Sequence, residues 1–196
     1  MPTRNNKIFI ITGPSGVGKD TVMRDMQSYN LPLQRVTTTT SRPMRAGETQ
    51  GQPYYFISEK EFSGMIERGE FAEYARVFDS WKGTTHKELA EVANGNLGVL
   101  LQMDYQGART ILSQYPETKV IVITPPSIEI LNERLIRRGD KHKEDLAKRL
   151  EQNKRWHQDY ANFHYYIENE QDHPEKAAAT VAAIIKKEVS VGVDLF

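Results

Sequence analysis

The chain has no cysteine, which excludes disulfide frameworks, thiolate zinc sites, iron–sulfur clusters and thiol nucleophiles, and leaves only oxygen and imidazole to meet a metal. It also lacks net charge. Its 26 Lys and Arg balance 26 Asp and Glu over 196 residues, so neither the basic footprint of a general nucleic-acid binder nor an acidic solvating tail is present. Long apolar runs are missing too: the run near the start, KIFIIT at Lys7–Thr12, is far short of a signal-peptide core or a spanning helix. The expectation is a cytoplasmic protein with no membrane partner. Repeats, low-complexity tracts and Pro/Ser linkers are absent as well, so one domain over 1–196, long enough to bury a core, is expected.

What is present has an alternating grain. KIFIIT, LGVLLQM (97–103) and KVIVIT (119–124) are continuous apolar runs suited to strands covered on both faces, and helical patterns follow at Lys19–Ser28, Gln106–Tyr115 and Ser127–Arg138. Strand and helix in alternation predict an α/β fold with a parallel sheet flanked by helices. Residues 35–94 differ, with clustered Thr, Pro and aromatics, and read as short strands and one helix inserted beside that sheet. The C-terminal third reads as a charged helix over Glu144–Asp159, a short strand HYYIE, an Ala-rich helix over His173–Val189 and a loose tail.

The sharpest motif is Gly13-Pro14-Ser15-Gly16-Val17-Gly18-Lys19-Asp20-Thr21, directly after a buried strand and directly before a helix. That context is what a phosphate loop requires: glycines let backbone N–H groups converge on a phosphate at a helix N-terminus, and Lys19 reaches the β- and γ-phosphates. A neutral chain can thereby bind a polyanion such as ATP. Where such loops place Ser or Thr after the lysine to ligate Mg²⁺, this chain has Asp20 and then Thr21, and either can serve the metal.

A second anion site is suggested by the stretch between Asp25 and Glu48, which has no acidic residue yet carries Arg35, Arg42 and Arg45 in a Thr-, Pro- and Gly-rich loop. A third basic segment spans 134–155, with nine Lys or Arg against four Asp or Glu. There Arg134 and Arg138 are four apart and share a helix face, Gly139 breaks the helix, and Arg149 follows a polar stretch.

The segment TTTTSRPMRAGETQGQPYYF, followed in order by FAEYARVF, Gly83-Thr84, Asp104 before Gln106-Gly107, and Pro125 to Ser127, resembles the guanylate kinases over about residues 7–188. That resemblance implies a P-loop nucleoside monophosphate kinase that phosphorylates GMP, and dGMP, with ATP and Mg²⁺. Its expected layout is a core (1–34, 95–133 and 151–190), a small mixed α+β GMP-binding insertion (35–94) and a helical lid (134–150). It further implies that Glu73 reads guanine, with Thr38, Thr84 and Asp104 as further base contacts, and that Arg42, Arg45 and Tyr54 hold the acceptor phosphate. Lys19, Arg42, Arg134, Arg138 and Arg149 neutralise the migrating group, and Asn169 is an adenine-side contact. A carboxylate can accept from guanine N1–H and N2–H₂ together, which adenine cannot match.

Three positions depart from the family pattern. Lys82 stands in place of a tyrosine on the acceptor phosphate, Gln102 replaces the first acid of a D-x-D, and Ser41-Arg42-Pro43-Met44-Arg45 has its proline one place early. Two rival readings follow. GPSGxGKD also resembles kinases of ribose 1,5-bisphosphate, although a sugar acceptor has no need of Thr38, Glu73 and Thr84. Guanylate-kinase-like binding modules lose much of the ATP loop, which this chain keeps. The five histidines make no metal-ligand spacing. Small-molecule nucleotides, no nucleic acid, and a monomer or homodimer complete the expectation.

Overall fold

The computed structural model describes residues 7–45, 47–94, 98–137, 143–171 and 173–190. In chain order the elements are β1 (Ile8–Thr12), α1 (Lys19–Asp25), β2 (Leu33–Arg35), β3 (Thr38–Thr40), β4 (Tyr54–Phe56), α2 (Glu59–Glu67), β5 (Phe71–Val77), β6 (Ser80–Thr85), α3 (His86–Ala93), β7 (Gly98–Gln102), α4 (Tyr105–Gln114), β8 (Lys119–Thr124), α5 (Ile128–Arg137), α6 (Lys143–Asn153), α7 (Trp156–Asp159), β9 (Tyr165–Glu168) and α8 (Pro174–Ser190). They form two compact units, one drawn from Phe9–Pro32 and Lys119–Phe196, the other from Met1–Ile8 and Leu33–Thr118. This is an α/β protein with parallel strands and flanking helices, as the alternation predicted.

In the first unit β8 pairs in parallel with both β1 and β9. All five residues of β1 are buried, the pattern of a strand covered on both faces. The Ala-rich helix α8 buries Ala177, Ala178, Val181, Ala182 and Ile185 and packs on α1, small side chains allowing close approach. Leu131 and Leu135 form the buried stripe of α5.

The second unit holds the parallel pair β2–β7 and a four-stranded sheet in the order β4-β3-β6-β5. Its register places Thr40 and Ala75 opposite Lys82, Glu73 opposite Thr84, and Thr39 opposite Gly83. Because side chains alternate along strands and opposed residues share a face, Thr38, Thr40, Glu73, Lys82 and Thr84 line one face while Thr39 and Thr85 line the reverse. An irregularity between Phe71 and Glu73 puts an extra residue, Ala72, into β5, and Ala72 O accepts from Gln114 Nε2 at 2.9 Å. A bulge of this kind re-aims the residue that follows it. Phe71 stays on the reverse face, stacked 4.3 Å from Phe62 of α2, and Glu73 turns to the other.

The structure differs from the sequence reading in three respects. Residues 35–94 contain two helices rather than one: α3 begins at a capping box in which Thr85 Oγ1 accepts from Glu88 N and Glu88 answers the Thr85 amide. The helix expected over Glu144–Asp159 is broken after Asn153, where the Lys154 and Arg155 amides donate three residues back, to Glu151 O at 3.2 Å and Gln152 O at 3.0 Å, and the chain restarts as the short α7. The helix expected over Lys19–Ser28 is α1 followed by a 3₁₀ turn at Met26–Tyr29. Leu97, Arg138, Gly139 and the tail beyond 190 lie outside the described residues. Among those residues no helix is long and apolar enough to cross a membrane.

Candidate active site

The phosphate loop runs from the end of β1 into α1, whose N-terminal cap is Gly18 at φ 98°. Gly13 and Gly16 also take positive φ, at 146° and 88°. A side chain at Gly18 would strike the Asn169 amide, and one at Gly13 would strike the Ile123 carbonyl; glycine is required for both conformation and space. Lys19 Nζ curls back to donate to Gly13 O at 2.6 Å and Pro14 O at 3.1 Å. Tyr160 Oη donates to the same Gly13 oxygen at 2.9 Å. On the other flank, Val17 O accepts from Asn169 Nδ2 at 2.7 Å and from Arg134 Nη1 at 3.3 Å, while Arg134 Nη2 donates to Asn169 O at 3.0 Å.

Four side chains, Lys19, Tyr160, Asn169 and Arg134, thus tie the carbonyls of the loop. Asn169 is 4 % exposed and its Oδ1 is buried without a hydrogen-bond partner, a polar atom that a donor could satisfy. Asp20 is exposed and Thr21 half-buried in the first turn of α1. Their oxygens are the hard donors that Mg²⁺ takes. Arg149 is half-buried on α6.

In the other unit, Arg42 is held by a two-pronged ion pair to Glu48, Nη1 to Oε2 at 2.7 Å and Nη2 to Oε1 at 2.6 Å. Glu48 also accepts from the Arg45 amide at 2.8 Å, and the Arg42 guanidinium holds its carboxyl below the usual glutamate range. The Arg42 guanidinium lies 5.2 Å from the centre of the Tyr54 ring, and Lys82 Nζ lies 5.4 Å from it. Two cations and a phenol therefore converge on one patch. Arg45 is exposed, and Thr38 is buried opposite Tyr54 in register. The displaced proline leaves the loop anchored: Ser41 Oγ accepts from Trp81 N at 2.8 Å and Ser41 N donates to Trp81 O at 3.0 Å.

The same face carries a buried carboxylate, Glu73, with the half-buried Asp104 of the α4 cap near it. Glu73 is 5 % exposed, and its Oε1 accepts from Thr84 Oγ1 at 2.8 Å. Asp104 caps α4 by accepting from Gly107 N at 2.9 Å through Oδ1, while its Oδ2 is buried with no partner. A Cβ on Gly107 would lie 2.5 Å from Glu73 Oε2, so the glycine makes room for that oxygen. Burial, with the nearby Asp104 and Glu88 carboxylates adding to it, pushes the Glu73 carboxyl up to about 7 against the pull of the Thr84 hydroxyl. A buried acceptor facing no donor, as Asp104 Oδ2 is, is costly and can be satisfied by a ligand N–H.

Of the residues singled out from sequence, the structure brings together Lys19, Arg134 and Asn169 around the loop, Arg42, Tyr54 and Lys82 around one patch, and Glu73, Thr84 and Asp104 in one pocket. Sequence reasoning missed Glu48, Tyr160 and Glu88. Glu48 sat inside the quoted R-A-G-E run, and an isolated acid amid arginines was its available signal. Nothing local marks Tyr160.

A glycine-rich strand–loop–helix in one unit, and clustered cations and carboxylates in the other, define an α/β nucleotide-binding protein of the phosphate-loop class. A profile of the guanylate kinase family matches residues 5–188. The guanylate kinase of Symbiobacterium thermophilum is 36% identical over 189 residues, covering 96% of this chain and 89% of that protein. That of Nostoc sp. is 40% identical over 151 residues, 76% of this chain and 75% of the relative. Among solved structures, guanylate kinase from Anaplasma phagocytophilum superposes with a TM-score of 0.71 at 27% identity, covering 93% of this chain and 86% of that one. The chain belongs to the guanylate kinase family.

Proposed function

We propose that the chain transfers the γ-phosphoryl group of ATP to GMP, and to dGMP, yielding ADP and GDP or dGDP. The observation that carries this reading is the buried Glu73 with Thr84, and the half-buried Asp104 whose Oδ2 is buried without a partner, an acceptor set that suits guanine N1–H and N2–H₂ and leaves adenine unpaired. Family membership supports it, and the comparisons lend no support to a sugar-phosphate acceptor or a non-catalytic module.

In this reading Gly13, Pro14, Ser15, Gly16, Val17, Gly18 and Lys19 cradle the ATP phosphates, and Asn169 meets the adenine side. Arg42, Arg45, Tyr54 and Lys82 hold the GMP phosphate, with Thr38 beside them. A GMP phosphate oxygen attacks the γ-phosphorus, the bond to the β–γ bridging oxygen breaks, and ADP leaves carrying that electron pair. The acceptor oxygen is already ionised, so no general base is needed. Catalysis then rests on positioning and on cations, Lys19, Arg42, Arg134, Arg138 and Arg149, around spread negative charge. Asp20 and Thr21 would hold Mg²⁺, directly or through water, and the ion when bound supplies charge neutralisation on the phosphates. Residues 35–94 act as the acceptor-binding region and 134–150 as a lid that excludes water. A cytoplasmic monomer or homodimer, with no nucleic-acid partner, fits the balanced charge.

The test is coupled ADP release from ATP and Mg²⁺ with GMP, dGMP, AMP, CMP, UMP or ribose 1,5-bisphosphate offered separately. Release with GMP and dGMP alone is expected; turnover with the sugar bisphosphate, or none with any acceptor, contradicts the proposal.

A further inference from the structure

The base-reading face of the four-stranded sheet has a reverse side, and a carboxylate sits there that the reaction does not touch. Glu88 of α3 accepts from Thr39 Oγ1 at 2.8 Å through Oε1 and from Thr85 N at 2.8 Å through Oε2. Its own amide donates to Thr85 Oγ1 at 3.1 Å. One side chain thus pins the middle residue of β3 and the last residue of β6. These two strands carry, one residue back in each case, Thr38 and Thr84 on the opposite face. Beside it lies a cavity of about 460 Å³ lined by Thr39, Tyr55, Met65, Thr85 and Glu88 among others.

We infer that Glu88 is a positioning residue for guanine selection: by bridging Thr39 and Thr85 from behind, it fixes the spacing of β3 and β6 and so the placement of Thr38 and Thr84 around Glu73. This deepens the proposed reading of the base pocket and rests on it. A helix cap alone does not require the Thr39 bond. A capping box is complete with Thr85 and Glu88, yet the Glu88 carboxylate also reaches across to another strand 49 residues away in sequence.

The bridge also has an electrostatic side. The groups that act on Glu73 are the Thr84 hydroxyl, the Asp104 carboxylate from the start of α4 and the Glu88 carboxylate from α3, and the two acids both oppose its ionisation. Burial raises Glu88 itself above the usual glutamate range, opposed by its bonds to Thr85 and Thr39.

The experiment compares wild type, Glu88→Gln and Thr39→Val in steady-state kinetics with ATP and GMP. Loss of the charge in Glu88→Gln, or of the hydroxyl in Thr39→Val, weakens the bridge and should raise KM for GMP about tenfold while KM for ATP stays within about twofold. The losses in the double variant should be less than additive, since both changes act on one contact. In Glu88→Gln the pH at which GMP is preferred over inosine monophosphate should also move down, a shift that a purely structural cap would not produce. A lowered melting temperature with unchanged KM for GMP would overturn the inference. Should Glu88→Gln fail to fold, Thr39→Val decides alone, because it leaves the capping box intact. If wild type itself shows no preference for GMP, the reading of the pocket fails first, and the role of Glu88 fails with it.

Discussion

In the proposed reading, Glu73 makes the acceptor choice depend on pH in a way that follows from its surroundings. Burial and the neighbouring acids Asp104 and Glu88 raise its carboxyl from an ordinary 4.5 to about 7. Between those values the folded chain holds a proton that the unfolded chain has lost, so stability falls as pH rises through the window. A gap of this width corresponds to up to about 3 kcal/mol. Guanine binding runs the other way. Both oxygens must accept, one from N1–H and one from N2–H₂, so the ionised form is the competent one, and below pH 7 its population drops about tenfold per pH unit. The phosphate of GMP titrates near pH 6 as well, and inosine monophosphate, which has the same phosphate but no N2 amino group, removes that contribution. The assay is the ratio of kcat/KM for GMP to that for inosine monophosphate from pH 5.5 to 8.5. The ratio should climb through about 7 and level above it. A flat ratio, or one that falls with rising pH, would refute the assignment of a titrating Glu73 to the guanine edge.

Other perturbations follow from single contacts. Lys19→Ala should lower kcat at least about a hundredfold with an unchanged circular-dichroism spectrum, since the charge acts on the transferring group. Glu48→Gln weakens the ion pair that holds Arg42 and should raise KM for GMP about tenfold with little change for ATP; equal effects on both substrates would contradict a local role. Gly107→Ala places a methyl 2.5 Å from Glu73 Oε2 and should abolish GMP binding in calorimetry while ATP binding persists. Tyr160→Phe removes the bond to Gly13 O and should cost about 1 kcal/mol in thermal unfolding and raise KM for ATP a few-fold.

Much of the nucleotide-binding half was legible because it rests on local rules. A continuous Ile-rich run becomes a doubly covered strand, and glycines at 13, 16 and 18 appear where positive φ and close approach demand them. The carboxylate pocket was legible only by resemblance: no periodicity aims Glu73 at Thr84, because the bulge at Ala72, held by Gln114 from α4, decides which face it takes. Likewise one helix was expected in 35–94 where there are two, since α2 and α3 are only nine and eight residues long, too short for a sustained period, and α3 starts at the Thr85–Glu88 box. Tyr160 and Glu88 act through contacts 147 and 49 residues away in sequence, a separation that local patterns do not encode.

The most direct test of guanine recognition by Glu73 is a pair of binding titrations, GMP and AMP, into wild type and Glu73→Gln. Wild type should bind GMP at least about a hundredfold more tightly than AMP, because adenine leaves the polar groups of the site unpaired, and the variant should lose most of that margin through weaker GMP binding. An unchanged preference in Glu73→Gln would contradict the assignment, because guanine would then be read elsewhere.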